Sequence, residues 1–190
     1  MVAGGPSASD APLGQVQGRC RVITINNSWR LAPWADVLYA CDYSWWRAFS
    51  GVPEFNGIKI SQDPACDRSP WGIHRVTIIK DNDRLLVKQP GVLGWGGNSG
   101  FHALNLAVQF GASKIILVGY DMRLDQGVHW HGRHQHGLNN PTALNVERWC
   151  RAVDGAADVI SGLGIRAINA SPVSRLTAYA KMSLMEALTC

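Results

Sequence analysis

The sequence predicts an α/β domain with a doubly wound, mostly parallel sheet, and three observations carry that reading. Short apolar, β-branched runs recur along the chain, and segments of helical spacing separate several of them. One run, residues 114–118 (KIILV), is apolar on both faces, as a central parallel strand covered by helices must be. Small polar residues follow four of the runs, where open α/β sheets place their ligands.

Residues 21–25 (RVITI) read as the first strand, ending at Asn26, Asn27 and Ser28. Residues 37–40 (VLYA) form a second, ending at Cys41 and Asp42, and Trp45, Trp46 and Phe49 continue on a helix. Residues 57–61 (GIKIS) give a third strand. The proline-containing stretch 62–71 is loop. Residues 74–79 form another strand, and Asp81, Asn82 and Asp83 turn it into 85–87 (LLV), a hairpin ahead of the glycine-rich segment.

Gly96, Gly97, Asn98, Ser99 and Gly100 then open an amphipathic helix. Ser99 is the expected cap, Phe101, Leu104 and Val108 share one face, and Gly111 stops the helix. Strand 114–118 ends at Gly119, Tyr120 and Asp121. After a polar, histidine-rich segment, a long helix spans 142–162, with Trp149 on its core face, and 164–169 (GIRAIN) supplies the last strand. The division is a flexible N-terminal tail, residues 1–18, and one domain over 19–190.

At 190 residues, 46% hydrophobic and 17% charged, the chain has the composition of a soluble globular domain. Its net charge of +4 is scattered, without a basic run, which argues against nucleic acid as a partner and suits a small anionic ligand. Five widely spaced cysteines without a CxxC pair fit a reducing compartment rather than a disulfide framework. The sequence shows neither a signal peptide nor a membrane-spanning run, so the expected location is cytoplasmic. The tryptophans and residues 183–188 leave room for a homo-oligomer without demanding one.

A glycine-rich turn at a helix N-terminus presents backbone N–H groups and the positive end of the helix dipole, which suit phosphate. Asn26 and Asn27, Asp42, Gly119 to Asp121, and Ser171 stand at strand ends that a parallel sheet brings to one edge. Together with Gly97, Asn98, Ser99 and Gly100 they make a candidate nucleotide site. Each residue alone reads as ordinary turn chemistry; their coincidence favours a shared ligand.

Residues 129–136 (HWHGRHQH) hold four of the six histidines. A metal site, a catalytic loop and a plain polar surface loop compete for this segment. No cysteine is near and the spacing fits no zinc motif, so no metal ligand is assigned. The catalytic reading is favoured: His129, His131, His134 or His136 as general base, with Arg123 and Arg133 balancing charge on a departing phosphate. Trp95 and Trp130 flank this region as platforms for a base or sugar ring. His74 and His102 read as structural.

The ordered motifs at 25–28, 40–42, 97–100, 116–121 and 169–174 resemble those of bacterial sialyltransferases of glycosyltransferase family 42. They are equally similar to a related domain whose archaeal members include a hydroxymethyl-dihydropterin pyrophosphokinase. The overall impression is of a short, phage-type member. The resemblance implies a Rossmann-like fold that binds cytidine monophosphate through the asparagines, the Asn-Ser-Gly turn and the Gly-Tyr-Asp strand end, with a histidine as base. Arg123 stands where the sialyltransferases carry a tyrosine.

A glycosyltransferase-like enzyme using a CMP-sugar type donor, with no cofactor required, is therefore the leading expectation. A pyrophosphokinase-like phosphoryl transferase would need Mg²⁺ on Asp42, Asp121 and Asp125. A non-catalytic nucleotide-binding phage protein, in the host cytoplasm, is the third.

Overall fold

The structure is a computed structural model and describes residues 1–80, 83–135 and 137–190. In chain order the strands and helices are β1 (Ile23–Ile25), β2 (Val37–Tyr39), α1 (Tyr43–Ala48), β3 (Ile58–Ser61), β4 (Ile73–Arg75), β5 (Thr77–Ile79) and β6 (Val92–Gly94). They continue as α2 (Ser99–Gln109), β7 (Lys114–Leu117), α3 (Ala143–Gly155), α4 (Ala157–Gly162), β8 (Arg166–Asn169), β9 (Ala180–Lys181) and α5 (Leu184–Thr189). These form one α/β domain in which every recorded strand pairing is parallel: β1–β2–β3–β4, β5–β6 and β7–β8–β9. Among the described residues no helix is long and apolar enough to cross a membrane.

The segment expected to be a flexible tail instead lies in the middle of the structure. Val2 bridges Thr24 and Val118 in parallel and so joins the β1 and β7 groups. Its N–H donates to Ile23 (2.9 Å), Ile25 donates back to Val2 (3.0 Å), and Ala3 and Val118 continue the ladder on the other side. Val2, Ala8, Leu13 and Val16 are buried. Three residues are too few to show a period, and the glycine-rich sequence behind them reads as linker, so the sequence hides this pairing.

Successive residues of the strands alternate between two apolar clusters, as a sheet covered on both faces requires. Val37, Tyr39, Ile115 and Leu117 join Phe101, Leu104, Val153 and Ile160 from α2, α3 and α4. Leu38, Ala40 and Val118 join Val2, Trp45, Trp46 and Leu184. Helix α2 is buried from Ser99 through Val108, on all its sides.

Three further expectations are corrected. No hairpin joins 74–79 to 85–87 among the described residues, and Asp81 and Asn82 lie outside them. Strand β5 pairs instead with β6. Leu86 is held irregular by α2: its N–H donates to Asn105 (3.0 Å), and its carbonyl accepts from Asn105 (2.9 Å) and Gln109 (2.6 Å). The helix expected over 142–162 breaks at Ala156, whose N–H donates to Val153 in a tighter turn after Gly155. The cap of α2 is Asn98, whose side chain accepts from Phe101 (2.9 Å), not Ser99.

Candidate functional site

At the carboxyl edge of the parallel strands lies a cleft of about 540 Å³. Asn26, Asn27, Asp42, Gly97, Asn98, Ser99, Gly100, Gly119, Tyr120, Asp121 and Arg123 all line it, as do His129, His131 and His134. Ser171 and Arg133 do not. Two residues here, Asn26 and Met122, adopt left-handed backbone (φ +49° and +51°), as Ser50 and Val52 do away from the cleft.

One wall is the start of α2. Ser99 Oγ accepts from the Cys41 N–H (3.2 Å), tying the helix to the end of β2. Gly97 has φ +73°, and a Cβ there would stand 3.2 Å from Trp149 Nε1. The buried Tyr120 donates through its phenol to Gly100 O (3.0 Å), so the tip of β7 fixes the first helical turn. Trp149, expected in the core, lines the cleft instead, as does Trp45, whose indole donates to Asn27 Oδ1 (2.8 Å).

The floor holds residues that sequence reading missed. Gly4 and Gly5 follow the Val2 bridge and line the cleft. A Cβ on Gly5 would lie 2.5 Å from Gly119 O and 2.6 Å from Asp121 Cγ, so only glycine lets the two turns meet. Ser7 donates to Asp121 through its N–H (2.8 Å) and its hydroxyl. The available signal was Gly4-Gly5-Pro6-Ser7 directly after an apolar triplet. Ser171, expected at the ligand, is buried behind the floor, where its Oγ accepts from the Tyr120 N–H (2.9 Å) and shapes the turn.

The carboxylates expected for Mg²⁺ are divided. Asp121 is taken by Ser7, and Asp125 pairs with Arg123, which also donates to Val173 O (3.1 Å). Asp42 stays on the cleft wall, where desolvation first and the charge of Asp63 second raise its pKa.

The opposite wall is the histidine loop. Ring centroids lie 5.1 Å apart for His129 and His131, 4.5 Å for His129 and His134, and 4.9 Å for His131 and His134. One nitrogen from each lies within 4.8 Å of the other two, making this trio the group of potential metal ligands found among the described residues. Burial, then repulsion from His134 and the other neighbours, lowers the pKa of His129 and of His131 to about 4; burial lowers that of His134 as well. Arg133 is exposed, and His136 lies outside the described residues. Of the two expected aromatic platforms, Trp95 lines the cleft with Lys80 and Arg148 over its ring. Trp130 instead donates to Ser28 Oγ (3.2 Å).

His102 has a different setting. It is fully buried on α2, with Nε2 2.6 Å from Trp95 O and Nδ1 2.9 Å from the Tyr39 hydroxyl and 3.1 Å from Cys41 Sγ. The carbonyl requires the proton on Nε2, leaving Nδ1 as acceptor. Burial holds its pKa at about 4 and pushes the Cys41 thiol up to about 12, so neither group is poised to react. Comparison of the chain with protein-family models, curated proteins and solved structures finds no match.

Proposed function

We propose that this cleft binds a nucleotide-activated sugar of the CMP-sugar type and that the protein is a glycosyltransferase-like enzyme on a Rossmann-like, doubly wound sheet. The observation that carries the proposal is the convergence of the Val2, β1, β2 and β7 tips, the N-terminus of α2 and the histidine loop around one cleft. Glycines at 4, 5, 97 and 100 bring backbone close to a ligand there, and α2 supplies the positive end of its dipole. The motif resemblance points to the same ligand class.

In this reading the acceptor hydroxyl attacks the anomeric carbon, the bond to the phosphate oxygen breaks, and the nucleotide leaves with that electron pair. A neutral imidazole of His129, His131 or His134 receives the hydroxyl proton. Arg123, rather than the exposed Arg133, is the cation on the cleft wall that faces charge developing on the leaving phosphate. Phosphoryl transfer on Mg²⁺ gains no support, because Asp121 and Asp125 are already engaged.

Isothermal titration with CMP-, UDP- and GDP-sugars tests the proposal. The expected result is one site for a CMP-sugar, weakened at least about tenfold by Gly97→Val, which intrudes on the turn at Trp149. Absence of binding by all three donor classes to the folded wild-type protein would overturn it.

A further inference from the structure

We infer that His129, His131 and His134 together form a binding site for one divalent transition-metal ion of the zinc class, facing the cleft. Their convergence is the first observation: three imidazole nitrogens within 4.8 Å of one another, from a loop spacing of i, i+2, i+5. A tetrahedral zinc with bonds near 2.0 Å needs its nitrogens about 3.3 Å apart, so ring rotations closing the trio by up to about 1.5 Å complete the site.

The second observation is independent. His129 Nε2 is buried and has no hydrogen-bond partner. A buried polar atom without a partner costs stability and calls for an explanation, which a bound cation provides. The other ring nitrogen, Nδ1, lies close to Gly4, where an added Cβ would stand 3.0 Å from it, so the ring packs against the backbone of residue 4.

The loop is also braced. Trp130 N–H donates to Gly4 O (3.0 Å), Gly132 N–H to His129 O (3.0 Å), and His134 N–H to Asn140 Oδ1 (2.8 Å), with Asn140 donating back to His134 O (3.3 Å).

The ligand set selects the ion. Three neutral imidazoles without a carboxylate in the group suit Zn²⁺, Co²⁺ or Ni²⁺ and not Mg²⁺ or Ca²⁺. Three protein ligands leave a fourth position, and the cleft that all three residues line opens onto it. An ion held there would supply Lewis-acid chemistry, polarising a water or hydroxyl at the fourth position, and the three imidazoles would then serve as its ligands rather than as the base. The site itself does not depend on the proposed function.

Co²⁺ is the probe, added to the chelator-treated full chain and followed by its visible d–d absorption. The expected result is a tetrahedral-type spectrum saturating at one equivalent and bleached by Zn²⁺. His131→Ala and His134→Ala each weaken Co²⁺ binding about a hundredfold or more, while His74→Ala leaves it unchanged. X-ray absorption at the zinc edge of the wild-type protein, which no folding defect can confuse, should show three imidazole nitrogens near 2.0 Å. A featureless Co²⁺ titration, wild-type affinity in His131→Ala or His134→Ala, or fewer than three imidazoles at zinc overturns the inference.

The sugar-nucleotide titrations are repeated on metal-free and zinc-loaded protein. Metal binding without nucleotide binding sinks the proposed function alone, and nucleotide binding without metal binding sinks this inference alone.

Discussion

The two walls of the cleft treat histidine in opposite ways. On α2, His102 is completely buried and has partners at both ring nitrogens. In the facing loop, His129, His131 and His134 crowd one another, and His129 Nε2 has no partner. Both walls hold their imidazoles uncharged at neutral pH. Burial and a lowered pKa therefore fail to separate a structural histidine from a functional one. Hydrogen-bond accounting does separate them: the His102 ring is satisfied at both nitrogens, whereas His129 Nε2, like Trp29 Nε1 and Asn169 Nδ2, has no partner, and it alone of these sits in a histidine trio.

The sharpest way to break that contrast is to remove one ring from each wall. His102→Ala leaves a cavity and strips partners from Tyr39 and the Trp95 carbonyl, so it should lower unfolding free energy by about 3 to 4 kcal/mol. His131→Ala, in metal-free protein, should cost under about 1 kcal/mol. Urea unfolding at pH 7 measures both, and equal losses would erase the distinction.

Acid gives the next largest effect. Unfolded His102 takes up a proton near pH 6.5 but folded His102 only near 4, so the unfolded state binds more protons between these values. Stability is complete above pH 6.5, declines as pH falls, and levels off below 4, with His102 contributing about 3 kcal/mol of the loss. Urea midpoints at half-unit steps from pH 7 to 4 should show the decline in His131→Ala as well as in the wild-type protein. A flat profile in either would contradict the assignment of His102 as a buried neutral ring.

The smallest effect concerns the link between the walls' supports. Tyr120→Phe removes the hydrogen bond to Gly100 O and should cost about 1 to 2 kcal/mol in urea unfolding. It should also weaken ligand binding at the glycine turn; unchanged stability would show that the bond does not hold α2 in place.

Much of this architecture could be read from residues. The β-branched runs at 21–25, 37–40, 57–61 and 114–118 contain β1, β2, β3 and β7, because such side chains suit a sheet buried on both faces. Residues as distant as Asn26, Ser99 and Asp121 share one cleft, because parallel strands end at one edge. Other features resisted for physical reasons. Leu85 to Val87 carry strand-like side chains, yet Asn105 and Gln109 capture the backbone of that loop. The histidine trio follows no motif spacing, since its geometry comes from how the loop is braced by Gly4 and Asn140. Gly5 acquires meaning only from Gly119, to which no sequence pattern connects it.

The bridge through Val2 bears on how the chain assembles during synthesis. The Val2 segment and strands β1 to β4 can pair as they emerge, but β7 cannot be annealed to Val2 until residues near Val118 have been made. The Val2 segment is made before β1 and pairs with it directly, so the edge left open until residues near Val118 arrive is the far side of Val2, only a few residues long and therefore a poor template for stray strands.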